Sequence, residues 1–234
     1  MARSMVGDRL ELVRERIALS CQKAGRKTDQ IRIVGVTKGV DIALIREAMA
    51  CGLTLLGENR VQEMERKREA LEPEKVQWHF IGNLQTNKIP KVIEYFQYIH
   101  SLDRENQALS LDKCLRTQRE EPYPVLVQVN VTGKPTQGGI EEHNLNLFLE
   151  SIQPLRHIQV IGLMTIGPEG NEDQIRRAFC RLRELKERIE FEKFDRVLPV
   201  LELSMGMSND YQVAVEEGAT YLRLGRCLFG ERSR

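Results

Sequence analysis

Cysteine chemistry, a membrane span and an excess of one charge are all missing from this sequence, and each absence removes a class of function. The 234 residues include five cysteines, Cys21, Cys51, Cys114, Cys180 and Cys227. Their number is odd, with no CxxC pair and no zinc-ligand spacing, which argues against a disulfide scaffold or a structural zinc site. They read as reduced, mostly buried thiols of a cytoplasmic protein. No apolar run approaches the ~20 residues that cross a bilayer, and the start, MARSMVGDRLELVRER, lacks the apolar region of a signal peptide. Lysine and arginine number 35 against 34 acids, a net charge of +1. That balance calls for neither nucleic acid nor an anionic membrane as partner. There is no GxSxG, no GxGxxG and no Walker loop, and His100, His143 and His157 have no partners at metal-ligand spacing.

What is present is alternation. Hydrophobic residues make up 41% of the chain, enough to build a core at this length without crosslinks. A first helix is read from Val6, Leu10, Val13, Ile17, Cys21 and Ala24, ended by Gly25. Eight strand-like runs follow, at 31–37, 53–56, 76–81, 98–102, 125–130, 158–164, 200–204 and 220–224. Several are continuously apolar, as suits parallel strands covered on both faces. Helical stripes lie between them. Ile42, Ile45 and Met49 follow an Asp41 cap and stop before Gly52; Leu145, Phe148, Leu149 and Ile152 form a second stripe; Ile175 to Ile189 follow an Asn171 cap. The pattern predicts an α/β fold, a single (β/α)8 TIM barrel over 1–234 with an extra N-terminal helix. That helix would fill the place of the last barrel helix, for which few residues remain. Residues 1–5 are expected to stand outside the ordered fold.

The residues capable of chemistry fall at the carboxyl ends of these strands, the rim where barrels of this kind keep their sites. Lys38 follows the first strand, Asn59 the second, and His79 lies near the end of the third. Met164 ends the sixth, Ser204 the seventh, and Arg223 with Gly225 closes the eighth. A lysine at a strand end usually reaches for water. One set among apolar neighbours would instead favour the free amine, ready to attack an aldehyde, and pyridoxal 5′-phosphate (PLP) is the common aldehyde cofactor. LSMGMSNDYQVAVEEGATYLRLGRCLFG adds two small-residue turns after strands seven and eight. Gly206 and Ser208, with Ser208 as helix cap, and then Gly225-Arg226 would offer amides to an anion. Trp78 and Phe80 should share one strand face and His79 the other. His79 reads either as a hydrogen-bonded interior histidine or as a rim residue near the cofactor.

Taken in order, VGVTK, LGENRVQE, WHFIGNLQTNK, IHSLDR, GLMTIGP, LSMGMSNDYQVAVEEGAT and LRLGRCLFGER resemble the pyridoxal-phosphate homeostasis protein family over nearly the whole chain. The resemblance implies a fold-type III PLP barrel, similar to the N-terminal domain of alanine racemase. It implies Lys38 as the Schiff-base lysine, Asn59 beside the ring and Arg223 facing the pyridine nitrogen. Ser204, Gly206, Ser208, Gly225 and Arg226 would surround the phosphate. Gly39-Val40, Asn83 and Arg226 depart from residues common in relatives, and Arg226 removes a hydroxyl contact to phosphate.

The expected function is a PLP carrier or buffer without turnover, a monomer whose partners are apo-PLP enzymes or a regulatory protein. The alternative is a PLP-dependent amino-acid racemase, although the related racemases use an additional β-domain and a base from a second subunit. A phosphosugar-binding barrel would need the anion cup but not Lys38.

Overall fold

The computed structural model describes residues 5–71 and 76–231. Its frame is a closed ring of parallel strands: β1 (Arg32–Val36), β2 (Leu55–Glu58), β3 (Gln77–Phe80), β4 (Tyr98–Leu102), β5 (Tyr123–Asn130), β7 (Ile158–Met164), β8 (Val197–Ser204) and β9 (Tyr221–Leu224). Pairing runs in that order, and β9 returns to β1 through Val34↔Arg223 and Gly35↔Leu224. A short extra strand, β6 (Ile140–Glu141), pairs only with the end of β5.

The outer face of the ring is apolar because helices cover it. They are α2 (Ile42–Ala50), α3 (Val61–Ala70), α4 (Ile89–Tyr95), α5 (Glu105–Leu115), α6 (Leu145–Ile152), α7 (Glu172–Glu192), α8 (Tyr211–Glu216) and α9 (Arg226–Phe229). Asp41 caps α2 by accepting from Ala43 N, and Asn171 with Gln174 forms a reciprocal capping box on α7. The N-terminal helix α1 (Met5–Lys23) buries Val6, Leu10, Val13 and Ile17 and packs against α2, α8 and α9. It covers the barrel beside the four-residue α9, as the sequence pattern anticipates. No helix among the described residues is long and apolar enough to cross a membrane.

Four expectations need correction. The second strand is Leu55–Glu58, not 53–56: Leu53 packs into the outer core and Leu55 pairs with Val34, so Glu58 becomes a strand residue. The seventh barrel strand begins at Val197, earlier than the apolar run suggests. Of residues 1–5, the first four lie outside the described residues and Met5 already begins α1. Of the cysteines only Cys21 is buried, the other four being partly exposed; all are free thiols.

Candidate functional site

Strand alternation decides which side chains meet inside the ring. On β1 the outward set ends with Thr37 and the inward set continues past Val36 to Lys38, so Lys38 starts from the interior side of the rim. It is half-buried, in a tight turn. Thr37 N–H donates to Gly57 O at 3.0 Å, Val40 N–H to Thr37 O at 2.9 Å, and Gly39 turns the chain at φ +65°.

Beneath this turn lies a buried ion pair. The Lys67 ammonium on α3 donates to Glu58 Oε1 and to the Thr37 carbonyl, and Thr37 Oγ1 donates to the same Glu58 oxygen at 2.6 Å. The Glu58 side chain is fully buried. Burial pushes its carboxyl up, against the pull of Lys67 and of the Lys67 and Thr37 hydrogen bonds. Next to it, Asn59 holds a buried Oδ1 with no hydrogen-bond partner. Gly82 presses against the same spot: a Cβ there would stand 2.2 Å from Asn59 O, so the GN after β3 must begin with glycine.

Beside the lysine turn, after β8 and β9, two turns are tied together. Gly206 has φ +95° and its carbonyl accepts from Arg223 N–H at 3.0 Å. Met207 N–H donates to Asp210 Oδ1 at 2.5 Å, so Asp210, not Ser208, stands at the start of α8. Ser208 Oγ instead accepts from Cys227 N–H at 3.2 Å, joining the loop after β8 to the first turn of α9. The capping expectation for Ser208 fails because the turn reaches on to residue 210 before the helix begins. Arg226 is exposed at the start of α9, directly after Gly225.

Inside the ring a hydrogen-bonded chain descends from the rim. The buried Arg223 donates from Nη1 to Ser204 Oγ and from Nη2 to Thr165 O, both at 2.8 Å. Ser204 Oγ lies 2.8 Å from His100 Nδ1, and His100 Nε2 lies 2.8 Å from His79 Nδ1. Ser204 Oγ accepts from Arg223, and the imidazole tautomers set the direction of the two contacts beyond it. Both imidazoles are neutral. Burial holds the His79 pKa down to about 3, with the charge of Arg32 acting the same way. Burial also drives His100 well below the usual range, helped by His79, Arg223 and Arg32. Burial lowers Arg223 to about 10, opposed by Asp210, so the guanidinium stays charged at neutral pH. Met164 is in register with Ser204 on the neighbouring strand and packs with Val34, Leu126 and Tyr221.

Lys38, Asn59, Ser204, Gly206, Ser208, Arg223, Gly225 and Arg226 therefore all stand at one end of the barrel. The His79 imidazole is fully buried within the barrel. The ring stacks on Tyr98, with centroids 4.5 Å apart, and its partners are interior, which supports the bonded-interior reading. The strand face was anticipated correctly: Trp78 and Phe80 lie in the outer core. Sequence reasoning did not single out Lys67, Thr37 or His100. Lys67 looks like one more charge on a solvated helix. The signal that could have found it is the acidic end of LGE, a carboxylate on the strand face that α3 must cover.

Residues 10–233 match the family described as alanine racemase, N-terminal domain. The chain is 45% identical over 226 residues to a pyridoxal phosphate homeostasis protein of Aquifex aeolicus, covering 96% of this chain and 97% of that one. It superposes on PipY of Synechococcus elongatus PCC7942 with PLP bound at a TM-score of 0.83, with 32% identity, 97% of this chain and 100% of that chain. Alanine racemase from Corynebacterium glutamicum, 12% identical with a TM-score of 0.67, shares the fold over 96% of this chain and 62% of its own.

Proposed function

The chain belongs to the pyridoxal phosphate homeostasis protein family, and from that premise we propose that it binds PLP at the carboxyl rim of its barrel. Lys38 would hold the cofactor covalently, and the protein would buffer or hand it on without turning over a substrate. PLP supplies an aldehyde that condenses with an amine, with loss of water, and a phosphate dianion that must be met by donors.

The observation that carries the reading is a fixed lysine turn standing beside the two joined turns after β8 and β9. β1, which leads into Lys38, pairs directly with β9, and β8 comes next in the ring. There the Ser208–Cys227 bond holds the two loops as one cup. Of the α9 amides, Cys227 N–H is held by Ser208 and Leu228 N–H and Phe229 N–H reach back to Gly225 O, so the Arg226 N–H precedes the internal bonds of the helix. Arg226 adds a cation at the edge. The residues fit the group. The unpartnered Asn59 Oδ1 marks a buried polar position facing no protein donor, as a bound ligand would require. The Ser204 and Thr165 bonds fix the Arg223 guanidinium. An arginine toward the ring nitrogen opposes its protonation and weakens the ring as an electron sink.

The same geometry favours a carrier over a racemase. A racemase needs a second base within about 3 Å of the reacting Cα, directly or through one water. Tyr98, Tyr123 and Tyr221 begin their strands at the far end, and Tyr95 ends α4. Tyr211, which could have faced phosphate or solvent, is buried in the outer core. His79 is neutral and engaged by His100. In this reading the protein acts as a cytoplasmic monomer, with apo-PLP enzymes or a regulatory protein as recipients.

Borohydride reduction of the PLP-loaded protein and peptide mapping tests the assignment. The pyridoxyl mass should fall on the Lys38 peptide, and finding it mainly on Lys88 or Lys134 overturns it. Loaded protein incubated with L- and D-alanine in deuterated water should not accumulate deuterium at Cα. Many turnovers, abolished by Lys38→Ala, would favour the racemase.

A further inference from the structure

The Lys67 ammonium donates to Glu58 Oε1 and to the Thr37 carbonyl and forms an ion pair with Glu63 Oε2 at 3.5 Å. Two of these contacts bracket Lys38. The Thr37 carbonyl belongs to the residue before it. Glu63 Oε2 also accepts from Gly39 N–H, the residue after it, at 2.9 Å. One buried cation on α3 is thus tied to the backbone on both sides of the lysine turn.

A buried ion pair seldom adds stability over apolar side chains of the same volume, because desolvating two charges offsets their attraction. A Lys67 and Glu58 kept only for stability could be replaced by two hydrocarbons. What hydrocarbons cannot supply is a donor to the Thr37 carbonyl. Without it the Thr37 carbonyl keeps only the Val40 N–H within its own turn, and the turn loses its tie to α3 and can relax outward.

We propose that Lys67 is a positioning residue: paired with Glu58 and Glu63, it holds the 37–39 turn so that Lys38 Nζ meets the aldehyde of a cofactor already anchored by its phosphate. This rests on the assignment of Lys38 as the attachment site.

Two ligands separate positioning from general damage. PLP can be attached by Lys38. Pyridoxine 5′-phosphate has the same phosphate but an alcohol in place of the aldehyde, so it binds without attachment. The variant is K67M/E58M, which removes both charges and leaves no buried ion unpaired. It should bind pyridoxine 5′-phosphate within about threefold of the parent, yet bind PLP at least tenfold more weakly and be trapped by borohydride more slowly. E63A, at a partly exposed position, should lower the ratio of PLP to pyridoxine phosphate affinity severalfold. Equal losses for both ligands in a folded K67M/E58M protein would show a merely structural role and overturn the proposal. If the double variant does not fold, E63A decides alone: an unchanged affinity ratio and trapping rate overturns it. Failure of the underlying assignment looks different, because the parent protein itself would then neither prefer PLP nor be trapped at Lys38.

Discussion

The two histidines sealed inside the barrel make the fold sensitive to mild acid. His79 is neutral in the folded chain with a pKa of about 3, because burial and Arg32 oppose its protonation. In the unfolded chain it titrates near 6.5. The folded state therefore binds fewer protons than the unfolded one between those values, and stability falls as pH falls through that window. Above about pH 6.5 both states are neutral and the group contributes no slope. Below it, His79 alone removes about 1.4 kcal/mol per pH unit. By pH 4.5 that is roughly 2–3 kcal/mol, a large part of the 5–15 kcal/mol that holds a typical domain. His100, depressed in the same direction, adds to the slope. Glu58 and Asp210, whose carboxyls burial pushes up, act in the opposite sense near the carboxylate range. The useful quantity is therefore a difference. Urea unfolding of the cofactor-free protein from pH 7.5 to 5 should give a steeper decline for the parent than for H79Q/H100Q, since glutamine keeps a donor and an acceptor but does not titrate. The level of stability will fall in the variant; the slope is the readout. Identical slopes between pH 6.5 and 5 would refute the neutral, sealed histidine pair.

Two glycines of the cup should separate folding from binding. At Gly206 a Cβ would face φ +95° and stand 2.6 Å from Ala214 Cβ, so Gly206→Ala should cost about 2–5 kcal/mol and lower Tm by roughly 5–15 °C. At Gly225 a Cβ meets only Val36, at 3.5 and 3.6 Å, so Gly225→Ala should leave thermal stability nearly unchanged while weakening PLP binding in a spectroscopic titration. Equal stability losses in the two would contradict this. Pyridoxal, lacking the phosphate, should bind at least tenfold more weakly than PLP, because each lost charge-assisted hydrogen bond is worth about 1.5–3 kcal/mol. Equal affinities by the same titration would place the phosphate outside the turns after β8 and β9.

The barrel was legible because its evidence is periodic. Apolar runs of a two-sided sheet recur eight times, with stripes at helical spacing between several of them, so an error of two residues in one strand does not change the count. The rim was legible for a related reason. Once strands are placed, the residues that follow them form one ring, and Lys38, Asn59, Ser204, Arg223 and Gly225 needed no knowledge of side-chain contacts. What stayed hidden depends on contacts between distant residues. His100 and Ser204 are 104 positions apart and joined by one hydrogen bond. Lys67 reaches back 30 residues to the Thr37 carbonyl. Neither distance leaves a trace in local composition.

The strand-two shift shows how such contacts and local pattern interact. The apolar run Leu53, Leu55, Leu56 invites a strand that stops before the charged Glu58. The chain instead extends the strand through Glu58, because Thr37 and Lys67 receive its carboxylate on the helix-covered side of the ring. A two-residue slide moves no side chain to the opposite face. It moves the end of the strand, and with it the height at which Asn59 meets the rim. Had the strand stopped at Leu56, Gly57 would leave the ladder in which its carbonyl accepts from Thr37 N–H, the bond that anchors the turn before Lys38. The position of the lysine at the rim is thus set by a glutamate two elements away in the chain. Charge on the covered face of a strand, followed by a helix carrying one opposite charge on its buried side, is the pattern from which such a tie can be read.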